Sequence, residues 1–299
     1  MYDYIKTVVP KEHIVFHEPM SKHTTFRVGG EAECFIMIQQ EEELAQLIPY
    51  LNQIEKEYFI LGNGSNLLVG DKGYRGIVMK FAGPMEGIRV EGTRITAKAG
   101  AMLTKVAVTA KENALSGLEF AAGIPGSIGG GVVMNAGAYD GEMKQVVEAV
   151  RVMDKDGQIT TLDNDTMEFG YRTSIIKNRP FIVLEVALCL TEGDQAQIGA
   201  RMEELMEQRR SKQPLEYPSA GSTFKRPEGN YAGKLIMDAG MRGYRIGGAR
   251  VSDKHCGFVV NTGKATAADI KEVIEEVQER VKERFHVTLE PEVVFLGDF

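Results

Sequence analysis

Apolar positions at residues 41–56 recur every three or four residues, with Leu44, Leu47, Ile48, Leu51 and Ile54 on one stripe, the spacing of an amphipathic helix. Pro49 lies inside this stripe and lacks an N–H, so a kink or an early stop is expected. Shorter apolar runs predict strands at 34–38 and 58–61, then at 76–81, 87–90 and 94–99. A helix over 102–113 buries Leu103, Val106, Ala107 and Ala110. Strands are expected at 145–153, 158–162 and 181–190, the last nearly all apolar and therefore central. A helix over 195–208 follows. The most regular helix begins after Thr266, with Asp269 three residues on as a capping partner and Ile270, Val273, Ile274, Val277 and Val281 as its stripe. A strand at 257–261 precedes it, and another at 287–289 leads to the closing segment 290–295.

The 299 residues exceed a usual single domain, so two or three domains are expected. With 35 basic and 42 acidic side chains the net charge is −7, which argues against general nucleic-acid binding but leaves room for a local anion pocket. The first residues lack the pattern of a signal peptide, and no apolar run approaches a membrane span, so a cytoplasmic protein without membrane insertion is expected. Cys34, Cys189 and Cys256 are scattered, with no CxxC, and indicate neither a disulfide framework nor a metal site.

Two loops change the picture. Residues 117–142 read GLEFAAGIPGSIGGGVVMNAGAYDGE, and 62–68 read GNGSNLL directly after an apolar strand. Glycine lets backbone approach a ligand closely and offers N–H groups to an anion. A flexible linker would carry more Ser, Pro and charge than the first loop does. The second loop could be a plain Asn-Gly hairpin turn. It lacks the third glycine of a dinucleotide fingerprint, and no GxxxxGK[ST] occurs. Two such loops after strands favour one shared diphosphate cradle. Basic residues gather at Lys225, Arg226 and from Arg242 to Arg250, suited to a diphosphate or carboxylate. The residues alone reach a binder of anionic, nucleotide-like ligands.

The ordered set FRVGG, GNGSNLL, GLEFAAGIPGSIGGGVVMNAGAYDGE, FGYRTS, SAGSTFKRP, AGMRGYRIGGARVSDKHCGFVVN and LEPEVVF resembles the UDP-N-acetylenolpyruvoylglucosamine reductase (MurB) family over nearly the whole chain. The resemblance implies an α+β protein with the FAD-binding fold of the vanillyl-alcohol oxidase (PCMH-type) group. Two α+β FAD-binding subdomains at 1–82 and 83–208 would be followed by an α+β substrate-binding domain at 209–286 and a C-terminal strand at 287–299 returning to the active site. It implies non-covalent FAD, since no histidine falls in the glycine-rich loop, and NADPH as the reductant. The enolpyruvyl ether of UDP-N-acetylglucosamine would be reduced to UDP-N-acetylmuramate in peptidoglycan precursor synthesis. The partner is then a small nucleotide-sugar, and the chain is expected to be a monomer or weak oligomer.

Carried over by motif, Gly62, Asn63, Gly64, Ser65, Asn66 and Leu67 would surround the flavin diphosphate with Gly123, Pro125, Gly126, Ser127 and Gly129, and Asn135, Gly137 and Ala138 would lie nearby. Ser222 would donate the proton, while Arg172 and Glu292 would brace the substrate carboxylate and its enolate. Such a role for Glu292 requires a protonated carboxyl, raised by desolvation, or one that orients Arg172 or a water. Tyr171, Lys225, Arg226, Arg242 and His255 would bind the substrate. The chain resembles the shorter subtype without an inserted tyrosine loop, which leaves Tyr217, Tyr231 and Tyr244 as candidates to close over the diphosphate. Plainer readings stand beside these: Ser222 as turn chemistry, Arg172 in an ordinary salt bridge, Glu292 on a solvated strand edge. The rival function is a flavin-dependent oxidase or dehydrogenase on the same scaffold, and a third is a non-catalytic binder of flavin or UDP-sugar.

Overall fold

A computed structural model describes residues 1–299. They form two units: Met1–Phe16, Cys34–Asn63 and Gly76–Gln208 make the first, and His17–Glu33, Gly64–Arg75 and Arg209–Phe299 the second.

The first unit is built on a five-stranded sheet ordered Ile159–Asp163, Val147–Met153, Ile182–Cys189, Arg94–Lys98, Ile88–Glu91, antiparallel throughout. The apolar run expected to be central is the middle strand, buried at six of its eight positions. Glu185 interrupts that run and is compensated by Lys98 at 2.8 Å and Arg151 at 3.6 Å. A second sheet has the order Ile14–Pro19, Glu31–Ile38, Tyr74–Phe81, Tyr58–Leu61, and the unit borders fall inside its first three strands. The helix Glu41–Gln53 starts with a capping box between Gln40 and Glu43 and buries Leu44, Leu47, Ile48 and Leu51. It runs through Pro49 but stops three residues earlier than expected, leaving Ile54 outside it and 40% exposed. Helix Leu103–Glu112 buries its four expected residues. Residues on both sides of position 82, among them Ile36, Leu47, Val106, Val150 and Leu184, share one continuous core. The short helix Tyr2–Val8, which buries only Ile5, has too little periodicity to be read from sequence.

The second unit is organised by helix Ala267–Phe285, whose stripe Ile270, Val273, Ile274, Val277 and Val281 is buried. An α-helix begins with four N–H groups that lack internal partners. Here Thr266 Oγ accepts from Asp269 N–H at 3.0 Å, and the Asp71 carboxylate accepts from Ala267 and Ala268 N–H, each at 2.8 Å. The helix packs with a three-stranded antiparallel sheet, Arg245–Ile246, Ala249–Val251 and Val259–Asn261. Residues 257 and 258 are not part of the last strand, because Phe258 N–H closes a turn on His255 O at 3.0 Å. Residues 287–289 form no strand either; Leu289 is buried and its carbonyl accepts from Gln278 Nε2 at 2.8 Å. The C-terminal strand is Val294–Leu296, parallel to Leu67–Val69. Because Tyr58–Leu61 pairs with Tyr74–Phe81 instead, the Asn63-Gly64 turn does not close a hairpin. No helix is long and apolar enough to cross a membrane.

Candidate active site

In the first unit the two glycine loops meet. A Cβ on Gly62 would lie 2.7 Å from Ser127 Oγ, and the Asn63 side-chain amide donates to Pro125 O at 2.5 Å. Ser127 caps helix Ile128–Val133 by accepting from Gly130 N–H at 3.3 Å. Beside these contacts Gly123 is half-buried and Pro125 exposed, whereas Gly126 is buried. Gly129 is not a free anion donor: it is buried and its N–H goes to Ala99 O at 3.0 Å. The accessible rim whose N–H groups could face a diphosphate is therefore Gly62, Asn63 and Gly123, since Pro125 has no N–H.

Asn135 is 1% exposed and left-handed at φ 42°. Its amide donates to Gly170 O at 3.1 Å and its carbonyl accepts from Lys144 N–H at 2.9 Å, so the side chain organises loops rather than facing a ligand. Ser174 Oγ adds a bond to Val133 O at 3.0 Å. These contacts stitch the segment bearing Arg172 to the glycine-rich segment, with Arg172 Nη2 3.4 Å from Gly137 O. Ala138 is half-buried and pairs with Gly141 in the adjoining short ladder. Arg172 itself has φ 55°, and its guanidinium lies 5.3 Å from the exposed Tyr171 ring. A non-glycine residue held there costs on the order of 1–3 kcal/mol, a cost that ordered surroundings must offset.

The second unit holds the other candidates. Ser222 is exposed while Thr223, beside it, is fully buried. Thr223 N–H donates to Gly257 O at 2.8 Å, its Oγ1 accepts from Val259 N–H at 2.9 Å, and its carbonyl accepts from Glu292 N–H at 2.8 Å. Phe224 and Pro291 form an antiparallel bridge, and Lys225 N–H donates to Glu290 O at 2.9 Å. Ser222 and Glu292 thus sit on neighbouring segments of one ladder. From the other side, the Asn66 amide donates to Glu292 O at 2.9 Å, and Asn66 O accepts from Val294 N–H at 3.0 Å. Gly64 is buried against His23, Ser65 is half-buried and Leu67 lies in the strand beside Val294.

The basic candidates are individually engaged. Lys225 pairs with Glu290, which moderates its usefulness as a free cation near Ser222. The Arg226 guanidinium stacks 4.1 Å from the ring of Tyr231, itself 62% exposed. Arg242 is exposed and meets Met237 Sδ at 3.0 Å. His255 Nδ1 accepts from Gly257 N–H at 3.1 Å, and burial pushes its pKa down, so it offers Nε2–H as a neutral donor rather than a charge. Of the candidate covering tyrosines, Tyr244 packs against the core and Tyr217 is half-buried 5.3 Å from the Arg250 guanidinium, so Tyr231, though stacked by Arg226, is the most exposed. Sequence reasoning missed Thr223 and the side-chain role of Asn66; the only available signal was a β-branched residue inside an otherwise turn-like SAGSTF.

Residues 213–296 match the UDP-N-acetylenolpyruvoylglucosamine reductase C-terminal domain and residues 32–163 an FAD binding domain. UDP-N-acetylenolpyruvoylglucosamine reductases of Lachnoclostridium phytofermentans and Caldanaerobacter subterraneus are each 50% identical over 298 residues; these span 98% of this chain and 96% of the first relative, and 100% and 98% for the second. The chain belongs to the UDP-N-acetylenolpyruvoylglucosamine reductase family. A crystal structure of the reductase from Thermus caldophilus, 37% identical, superposes with a TM-score of 0.82 over 95% of this chain and 98% of that one. With the FAD binding domain and this neighbour, the mixed α+β architecture is the PCMH-type FAD-binding fold followed by the reductase C-terminal domain. A glucose dehydrogenase, Phl p 4.0202, shares the fold alone, at 12% identity and a TM-score of 0.51 over 75% of this chain and 51% of that one.

Proposed function

We propose that this chain reduces UDP-N-acetylglucosamine enolpyruvate to UDP-N-acetylmuramate with FAD and NADPH, a step in making peptidoglycan precursor. FAD, when bound, would supply hydride transfer between NADPH and the terminal carbon of the enolpyruvyl group. The chain's residues must then hold the negative charge left on the adjacent carbon and its carboxylate, and protonate that carbon. The accessible backbone of Gly62, Asn63 and Gly123 holds the flavin diphosphate. Ser222 donates the proton, Arg172 neutralises the carboxylate, and Glu292 braces the enolate. Tyr171, Arg226, Arg242 and His255 bind the nucleotide-sugar, His255 through Nε2–H, and Tyr231 closes over the diphosphate.

The observation that carries this reading is an exposed Ser222 beside a half-buried Glu292 whose peptide N–H is held by the neighbouring Thr223 carbonyl. The oxidase alternative has the fold in common and nothing at Ser222 in its favour. An anaerobic experiment tests the reading. NADPH should bleach the flavin of the purified protein and the enolpyruvyl nucleotide should restore it. Ser222→Ala should slow restoration by about 10²-fold or more while bleaching stays within about twofold. Restoration at the parental rate would remove Ser222 from the mechanism.

A further inference from the structure

Ser222 is an exposed residue on a segment with no helix or strand of its own, yet a proton donor must be fixed to within a fraction of an ångström. Its neighbour Thr223 supplies all three of its own polar groups to that task. The Thr223 N–H and Oγ1 hold the segment against residues 257–259, and its carbonyl takes the N–H of Glu292. The hydroxyl contact is the only one of the three made by a side chain, and it accepts from Val259 N–H, where strand Val259–Asn261 begins. Thr223 is 0% exposed, so no solvent can replace that acceptor if it is lost. Thr223 and Phe224 are both buried, and Ser222 beside them is the exposed residue of the turn.

We propose that Thr223 is the positioning residue that sets Ser222 and Glu292 relative to one another. It touches no reacting atom; it registers the Ser222 segment on strand Val259–Asn261 through one hydroxyl and carries Glu292 on its carbonyl. The proposal rests on the reading of Ser222 and Glu292 given above. The protonation half of the reaction depends on this geometry, whereas flavin reduction by NADPH does not.

The test uses the FAD-loaded protein and the two half-reactions. Thr223→Val keeps the shape and removes the acceptor, and should slow flavin restoration by the enolpyruvyl nucleotide about tenfold or more, with bleaching by NADPH within about twofold of the parent. Thr223→Ser keeps the hydroxyl and should return restoration to within about threefold of the parent. If Thr223→Val yields no FAD-loaded protein, Thr223→Ala is compared with Thr223→Ser, since these two differ only in the hydroxyl. Combined with Ser222→Ala, Thr223→Val should add less than about threefold, because both act on one step. Restoration at the parental rate in Thr223→Val, equal slowing of both half-reactions, or no recovery with Ser would overturn the proposal. If Thr223→Val slows restoration while Ser222→Ala and Glu292→Gln do not, the site reading falls and this inference with it. If Ser222→Ala slows restoration and Thr223→Val does not, only the inference falls.

Discussion

The segment bearing Arg172 and the segment bearing Ser222 solve the same problem by different means. Each presents one polar side chain from a short irregular stretch. Arg172's loop is tied down by side chains, with Asn135 bonding Gly170 O and Ser174 bonding Val133 O. Ser222's segment is tied down mainly by main chain, through Thr223, Lys225, Glu290 and Glu292, with the Thr223 hydroxyl and the Lys225–Glu290 ion pair as the side chains that join in. A side-chain tie is broken by one substitution. A main-chain ladder survives most substitutions and is disturbed chiefly by forcing backbone apart.

Gly64 is where such force can be applied to the second unit, with the largest expected effect. Its φ is 60°, and a Cβ there would lie 1.9 Å from His23 O. Alanine would meet left-handed strain of about 1–2 kcal/mol and a backbone clash besides. Two residues on, Asn66 holds Glu292 O, so the displacement reaches the ladder. Gly64→Ala should lower Tm by about 8 °C or more and reduce bound flavin. A parental melting curve with full flavin content would mean that the ladder is not held in the way described.

A smaller, more local effect is expected from Asn135→Asp in the first unit. The change replaces the donor to Gly170 O by an acceptor and leaves the bond from Lys144 N–H possible. Leaving that part-buried carbonyl facing a carboxylate should cost about 1–3 kcal/mol. The KM for the enolpyruvyl nucleotide should rise while the rate of flavin bleaching by NADPH changes little. An unchanged KM would separate Asn135 from the placement of Arg172.

The same contrast explains what could be read from sequence. The helix Ala267–Phe285 and the central strand Ile182–Cys189 were legible because each carries its own period and its own ends. The glycine loops were legible as close-approach backbone, and Gly62 does lie against Ser127. Which of their amides remain available was not, because Gly129 N–H is taken by Ala99, thirty residues earlier. Residues 287–289 looked like a strand because Val287 and Leu289 alternate, but side-chain burial and the Gln278 bond fix them without a ladder. Thr223 and the bond from the Asn66 side chain to Glu292 O were invisible for the same reason: the partners lie 36 and 226 residues away.

The smallest effect concerns charge. Around Glu41 the first unit uses a side-chain tie on a larger scale, joining the first turn of helix Glu41–Gln53 to three sheet strands. Lys98 lies 2.7 Å from Glu41 and 2.8 Å from Glu185, and Arg151 lies 2.9 Å from Glu41. Burial alone would raise the Glu41 pKa, but the hydrogen bonds from Lys98 and Arg151 outweigh it and hold the carboxyl below its usual 4.5. Its contribution is therefore present above pH 4.5, where the unfolded carboxyl is also ionised, and is lost as pH falls through the lower folded value. Lys98 is also shifted by burial, downward, yet its bonds to Glu185 and Glu41 carry it above 10.5, so its contribution is lost only as pH rises past that folded value. Glu41→Gln should make the protein less stable at neutral pH, and the gap to the parent should narrow as the solution is acidified below 4.5, since the parent then loses the same charge. Urea midpoints at neutral pH and at successive acid steps measure that gap. A gap that stays constant down the acid limb would show that the amide costs packing rather than charge, and that the tie at Glu41 is steric.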